Sequence, residues 1–539
     1  MKTLYHSMLL MLGALAPVGI AYAQVPSSND TSTTDGFFNT GMGTGALGGP
    51  AATSGGASNT ASGYRTLYSI TTGGYNTASG YEALYSNTTG QSNSAFGGYA
   101  LYSNTAGQFN TASGRAALFY NTAGAYNTAS GDAALFFNST GVSNTATGFS
   151  ALFNNSTGSS NTATGYQALY GNSTGYWNTA LGVNALWSNE SGYDNTASGA
   201  YALSKNTTGN LNAAFGDEAL NLNVTGVGNA AFGTWSLSNN TTGSYNTASG
   251  FSALFGTRPE GGSPNSTGSN NTAIGAQALY SFTTGSQNTA AGMNALYFNM
   301  TGNYNTAAGY NAMYANRTGH SNTAFGQAAL RFNTSGDYNI AEGYKAGYEL
   351  TTGSYNIDIG NVGVAAESGV IRVGTSGQQT QTFIAGINNS TVTGAAVVVD
   401  PSTGQLGVLA SSERFKTAIA PMGFNTAKLD QLRPVTFKLR SDATGTRQFG
   451  LIAEEVAKVY PELVIRDENG TINGVRYDEL APMLLNEMQK RNAAQNERIA
   501  AQSTHIAALD AKIARLTAQL TEIHAAFEKR RTDSLVAQR

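Results

Sequence analysis

From Asn59 to Gly360 small, apolar and polar residues recur with a period of seventeen. A segment of the type Asn-Thr-Ala-Ser-Gly begins at 59, 76, 93, 110, 127, 144, 161, 178, 195, 212, 229 and 246, and resumes at 271, 288, 305, 322, 339 and 356. Every step is seventeen residues except 246 to 271, which is twenty-five, the extra eight falling in the Gly256–Pro264 neighbourhood. With the unit numbered from its first Asn, as in Asn76 to Ser92, position 5 is Gly in all eighteen copies. Position 3 is Ala in every copy but the last, which has Asp358; position 9 is Leu except for Met313, Gly347 and Val364. Ala at 3 and Gly at 5 leave no room for side chains, so backbones or neighbouring chains must approach closely there. Positions 6, 9 and 10 (Tyr81, Leu84, Tyr85) have the i, i+3, i+4 spacing of one helical turn. Gly at 15 supplies a turn with positive φ. Each unit is therefore expected to be a short strand, a tight turn, a one-turn helix or bend, and a second turn.

Seventeen residues cannot bury a core, but stacked copies can, and a solenoid tolerates one insertion because each repeat touches only its neighbours. Eighteen turns at the strand spacing make a rod of roughly 85 Å.

The pattern changes after Gly360. Residues 361–410 are β-rich: Val370 to Val373, Thr380 to Ile384, Ala396 to Asp400, a turn at Pro401, then Gln405 to Leu409. This is a neck. Beyond it, Val435, Phe437 and Leu439 alternate as a strand, Gly450 to Val456 leads into a short helix ended by Pro461, and Asp467 to Gly470 is a turn between strands. Tyr477 to Leu480 opens a last helix with two heptad rows. One is Leu485, Asn492, Ile499, Ile506, Ile513, Leu520 and Phe527; the other is Met488, Gln495, Gln502, Leu509, Leu516 and Ile523. That is a coiled-coil seam over 491–531, with polar Asn492, Gln495 and Gln502 fixing register.

Composition sharpens the division. The chain has 539 residues, 66 of them Gly, and only 11% are charged, yet 19 of its 28 Lys and Arg lie after Ala410. A net charge of −3, with no basic stripe, gives no basis for nucleic-acid binding. There is no Cys, and His6, His320, His505 and His524 lack metal-ligand spacing, so no metal or other cofactor is expected. Residues 1–23 read as a secretory signal: Lys2, the apolar run Met8 to Ala16, and Ala21-Tyr22-Ala23 before Gln24. Residues 24–58 are a low-complexity lead-in, and no segment spans a membrane after signal removal. A secreted or cell-surface product is the expectation.

Asn-Thr-Thr and Asn-Ser-Thr at positions 12–14 match glycosylation sequons, but a motif copied through an array points to turn chemistry instead. Tyr, Phe and Trp at positions 6 and 10 suit either packing between turns or a cell-surface glycan or protein ligand. No pair of carboxylates recurs along the array, so glycosidase chemistry has nothing to run on.

Ser411-Ser412-Glu413-Arg414-Phe415-Lys416 stands on the compositional boundary. Together with Leu432-Arg433-Pro434-Val435-x-Phe437, Gly450-Leu-Ile-Ala-x-Glu455-Val456 and Tyr477-x-x-Leu480, it resembles the endosialidase-type intramolecular chaperone domain, serine peptidase family seventy-four. The array resembles the β-solenoid heads of trimeric adhesins and the shafts of tail fibres. The chaperone resemblance covers about 411–490. It implies a homotrimeric chaperone that drives assembly of the β-rich fibre and then cuts the chain before its motif serine. By position that bond is Ala410–Ser411, with Ser411 the nucleophile and Lys416 its partner; Ser412 stands where the family usually has Asp. Ser needs a base, and Lys serves when burial favours its neutral amine. In one helix residues five apart sit about 140° apart, so the pair needs a strand-to-turn geometry or a second chain.

The expected fold is mainly β: a β-solenoid of 17-residue repeats over 59–360, a β-rich neck over 361–410, and a small α+β chaperone domain over 411–490 with a C-terminal coiled coil, in a homotrimer. The expected function is a secreted, adhesin-like fibre protein with a self-cleaving assembly domain. The alternatives are an uncleaved stalk or, less well supported, a carbohydrate-degrading tailspike.

Overall fold

The computed structural model describes residues 38–48, 56–257, 266–384, 396–400, 403–408, 410–442, 444–467 and 469–537, in two compact units that divide between Thr382 and Phe383. The expected signal at 1–23 lies outside these residues.

The first unit is a β-solenoid. Twenty three-residue strands, from β1 (Thr40–Met42) and β2 (Thr60–Ser62) to β19 (Ile357–Ile359) and β20 (Ile371–Val373), form one parallel sheet, each paired in register with the equivalent residues one turn away. The ladder is one strand longer at each end than the eighteen copies: β1 falls in the stretch read as a lead-in, and β20 in the stretch read as a neck. Within each Thr-Ala-Ser strand the flanking side chains point outward and the Ala is buried, as a two-residue period requires. Ala at position 8 and Leu at position 9 close the core from the other side, fully buried in nearly every turn. Each such leucine contributes about 2 kcal/mol of burial.

Positions 6 to 10 do not form the expected helical turn. Glu82 and Leu84, at positions 7 and 9, have φ of 51° and 52°, and their equivalents repeat this left-handed conformation along the array. Each left-handed non-glycine costs roughly 1–2 kcal/mol. Inter-turn hydrogen bonds compensate: the Glu82 amide donates to Tyr64 O in the preceding turn, and the Leu84 and Ser86 amides donate to Ala100 O and Tyr102 O in the next. Stacked turns can satisfy a zigzag backbone that an isolated segment could not. Gly at position 15 also differs from expectation, because its φ is not positive. It is required by space, since a Cβ on Gly90 would lie 2.3 Å from Asn87 Oδ1 and 2.5 Å from Gly107 O. Gly at position 5 meets both demands, as at Gly97 (φ +127°, Gly114 O 2.6 Å from a Cβ).

Two ladders of buried asparagines run through the core, one at position 1 along the whole array and one at position 12 in two runs, Asn87 to Asn240 and Asn299 to Asn333. At position 1, Asn76 N and Nδ2 both donate to Asn59 Oδ1 at 3.0 Å, and Nδ2 also to Gly90 O at 2.9 Å. At position 12, Asn104 Nδ2 donates to Asn87 Oδ1 at 2.7 Å and to Gly107 O at 3.1 Å. The position-12 asparagines among the described residues are thus buried with their amide hydrogens engaged, and the folded array has no room for a glycan on them. The position-12 ladder stops where the sequence changes. Phe282 and Leu350 occupy two of its sites, and Asn240 and Asn333, each last in a run, have an Oδ1 without a donor.

The last full turn breaks the repeat in a correlated way. Asp358 replaces the core Ala and is fully buried, with no hydrogen-bond partner on either oxygen. Gly347 stands where other turns have Leu, and a Cβ on it would already lie 3.3 Å from Asp358 Oδ2. Burial lifts the Asp358 carboxyl to about 6, Glu367 adds to the rise, and Arg372 opposes it. Arg372 itself is held by Glu367, Nη2 to Oε2 at 2.7 Å.

The second unit begins with an antiparallel hairpin, β21 (Val397–Val399) with β22 (Leu406–Val408), while Thr380 to Ile384 is not a strand. Two more antiparallel pairs follow: β23 (Val435–Phe437) with β24 (Gln448–Gly450), and β25 (Val464–Arg466) with β26 (Ile472–Val475). Helix α1 (Ala453–Val459) packs on the second pair, and Val456, Tyr460, Leu463, Val464, Val475 and Met483 form a small core. Helix α2 (Tyr477–Val536) is continuous for 60 residues. Its heptad apolar residues are exposed in the single chain, Ile499, Ile506, Ile513 and Leu520 at 50–70%. No helix among the described residues is long and apolar enough to cross a membrane.

Candidate functional site

Ser411 and Lys416 lie at the two ends of one short 3-10 turn, Glu413–Phe415. The chain is extended on both sides of it, at Ser412 (φ −68°, ψ 143°) and at Lys416 (φ −116°, ψ 145°). The Phe415 amide donates to Ser412 O at 3.0 Å and the Lys416 amide to Glu413 O at 2.9 Å, folding the segment back on itself. Lys416 Nζ thereby reaches Ser411 Oγ at 3.4 Å. A continuous helix could not bring these residues together; an extended-turn-extended path does so within one chain. Both side chains are exposed, so the single chain supplies a hydroxyl beside an amine but no desolvated pocket around them. The Arg414 guanidinium sits over the Phe415 ring at 4.6 Å.

The other residues that carried the resemblance hold the domain together. Arg433, from the Leu-Arg-Pro run, donates Nε to Glu455 Oε2 at 3.1 Å, and its guanidinium holds the Glu455 carboxyl below its ordinary range. Tyr477 Oη accepts from the Leu451 amide at 2.8 Å, tying the start of α2 to the strand end before α1. Leu480, Leu432 and Leu451 pack against the small core. A polar cluster joins α2 to the turn at Gly423–Thr426: buried Thr426 Oγ1 donates to Glu487 Oε2 at 3.1 Å and accepts from Asn486 Nδ2 at 2.7 Å and Lys490 Nζ at 3.2 Å. Sequence reading missed Thr426, because an isolated Thr outside any periodic pattern carries no signal of burial.

The array has its own surface feature. Position-10 aromatics stack face to face from Tyr68 through Tyr85, Tyr102, Phe119, Phe136, Phe153 and Tyr170 to Trp187, with centroids 5.0–5.9 Å apart. Lys205 Nζ covers the end of that stack, 5.3 Å from the Trp187 ring. A second stack runs Phe255, Tyr280, Tyr297, Tyr314. Packing between turns therefore accounts for most of these rings. Between the stacks position 10 is Ser204, Asn221 and Ser238, and beside Ser238 lies a cleft of about 380 Å³. Trp235, Phe251, Phe255 and Tyr280 line it, with Glu218 and Gln277. The loss of the aromatic at position 10 was the signal for this cleft, legible in the repeat but not singled out. Among the described residues no cluster of three or more His, Asp or Glu could hold a metal ion.

No curated protein and no solved structure matches the chain. The segment that carries Ser411, Lys416, the Arg433–Glu455 pair and α1 does find a family: residues 411–465 match the model described as the chaperone of endosialidase.

Proposed function

We propose that the chain is a secreted, trimeric, fibre-like surface protein whose C-terminal domain guides assembly of the solenoid and then cuts the chain at Ala410–Ser411. The approach of Lys416 Nζ to Ser411 Oγ, at the first residues of the family match, carries the reading. The Lys416 amine takes the hydroxyl proton as Ser411 Oγ attacks the Ala410 carbonyl carbon. The Ala410–Ser411 C–N bond breaks, with a proton passing to the Ser411 nitrogen, which leaves Ala410 esterified to Oγ. Water hydrolyses the ester, freeing a carboxylate on Ala410 and a new amino terminus on Ser411. A neutral lysine amine requires desolvation, and Lys416 is exposed in the single chain. Association of neighbouring chains around it would supply that burial, so cleavage would follow assembly.

Assembly has a physical rationale. Long-range β pairing is slow and leaves aggregation-prone edges, so a trimerising nucleus at one end lowers the cost of bringing chains together. The exposed heptad seam of α2 is the surface such a nucleus would bury. Removal of the nucleus leaves a kinetically trapped fibre, whose array meets a cell-surface glycan or protein ligand.

Denaturing electrophoresis and mass measurement of the recombinant full chain test this. A fragment from Ser411 to Arg539, absent in Ser411→Ala and in Lys416→Ala, is the expected result. Persistent full-length protein in the unmutated chain would overturn the cleavage step and leave an uncleaved stalk. The mass of exported protein tests secretion, with Gln24 expected at its start.

A further inference from the structure

A stacked ladder is a poor platform for a ligand, because each ring covers the face of the next. The stack beginning at Phe255 is different at its first member. Tyr280 covers one face, but the neighbouring turn offers Ser238 at the stacking position, so no ring covers the other among the described residues. The space that an aromatic would fill is the 380 Å³ cleft. Trp235 and Phe251 flank it with centroids 5.4 Å apart and planes tilted by 52°, and both are solvent-accessible, at 39% and 48%. Trp235 is at position 7 of one turn, and Phe251 and Phe255 are at positions 6 and 10 of the next, so only the stacked array brings these faces together. The polar residues lining the cleft are Glu218, Ser238, Asn239, Ser252 and Gln277.

Flat aromatic faces beside carboxylate, carboxamide and hydroxyl groups are complementary to a sugar ring. Its C–H face stacks on an aromatic, while its hydroxyls donate to the carboxylate and exchange hydrogen bonds with amide and hydroxyl groups. A purely apolar ligand would leave those polar groups unpaired, which is costly. The volume lies at the small end of ligand sites, enough for one or two sugar rings. Among the described residues Glu218 is the one acidic or basic side chain lining the cleft, and a carboxylate there disfavours acidic sugars by like-charge repulsion.

We propose that the cleft between Trp235, Phe251 and Phe255 is a saccharide-binding site selective for neutral sugars over sialylated or sulfated ones. This rests on reading the array as a ligand-facing surface, but not on self-cleavage.

The test uses the purified full chain, with its cleavage pattern and oligomeric state recorded for every variant, so failure of assembly is seen separately from failure of binding. An array of neutral, sialylated and sulfated oligosaccharides identifies a probe, whose affinity is then followed by tryptophan fluorescence and calorimetry. Trp235→Ala and Phe251→Ala should each weaken binding by about tenfold or more. Ser238→Tyr puts at that position a ring like those of Phe255 and Tyr280 in the next two turns, continues the stack, and should abolish binding without disturbing the fold. Trp187→Phe, in the other stack, should bind normally. Binding confined to acidic glycans, undiminished binding by Ser238→Tyr, or no glycan binding by a correctly assembled protein would each overturn the proposal.

Discussion

Asn104 Nδ2 donates to Asn87 Oδ1 at 2.7 Å, and both side chains are fully buried in the solenoid core. The same contact repeats from turn to turn, so each asparagine is donor to one neighbour and acceptor for the next. Removing one from the middle of the run leaves a buried Oδ1 without its donor on one side and an Nδ2 with only its glycine carbonyl on the other. Asn121→Ala is expected to cost about 1–3 kcal/mol, read as a lower midpoint in chemical denaturation. Asn333→Ala, at a run's end where Oδ1 is already unpartnered, should cost less.

The close approach of backbones at position 5 gives a sharp contrast between adjacent glycines. A Cβ on Gly97 would meet Gly114 O at 2.6 Å in a left-handed backbone, whereas one on Gly98 would meet nothing within 4 Å. Gly97→Ala should lower the melting temperature markedly, by more than about 2 kcal/mol in stability, and Gly98→Ala should be within about 0.5 kcal/mol of the parent. Equal effects would show that the turns can slide apart.

Asp358 makes the array's C-terminal end pH-dependent. Its carboxyl is lifted by burial from 3.8 to about 6, so between those values the folded chain holds a proton that the unfolded chain has released. Stability contributed by this group therefore falls as pH rises through that window, and the full cost stands above it. Asp358→Ala restores the residue of the other copies and should stabilise the array near pH 7.5 by on the order of 2–3 kcal/mol, the free-energy equivalent of the shift. The part of the advantage that depends on ionisation should vanish below about pH 4, which paired thermal melts of the two proteins at several pH values would reveal.

The α2 seam is exposed in the single chain, and its apolar residues are what a partner copy would cover. Ile513→Asp places a charge in the middle of the seam. Sedimentation should show loss of the assembled species, with helix content falling as the unsupported α2 frays. The same charge on the opposite face of the helix, Ala518→Asp, should leave the mass unchanged.

Much of this was legible in the chain because repetition amplifies weak signals. One Asn-Thr-Ala-Ser-Gly segment means little, but eighteen in register fix the strand, its buried Ala and the stacking direction. The seventeen-residue period, the compositional boundary at Ser411 and the long last helix were likewise determined by sequence. Local spacing misled where stacking overrides it. Tyr81, Leu84 and Tyr85 have helical spacing, yet Leu84 is left-handed because the Glu82 amide bonds to the preceding turn while the Leu84 and Ser86 amides bond to the next. Gly90 looked like a residue chosen for its φ, and it is needed because Gly107 O and Asn87 Oδ1 leave no room for a Cβ.

The two sites divide along the same line. Sequence named Ser411 and Lys416 but not the path between them; the turn at Glu413–Phe415 decides that one chain alone can bring Nζ within 3.4 Å of Oγ. The cleft at Trp235 depends on residues from four turns, from Glu218 to Tyr280, which only the solenoid's stacking sets side by side. Sequence determines what a short segment can do by itself, because backbone preference and side-chain period are local. Tertiary structure decided which carbonyl lies above each glycine, which asparagine completes its neighbour, and where the missing ring leaves a space, because those depend on contacts across a whole turn of chain.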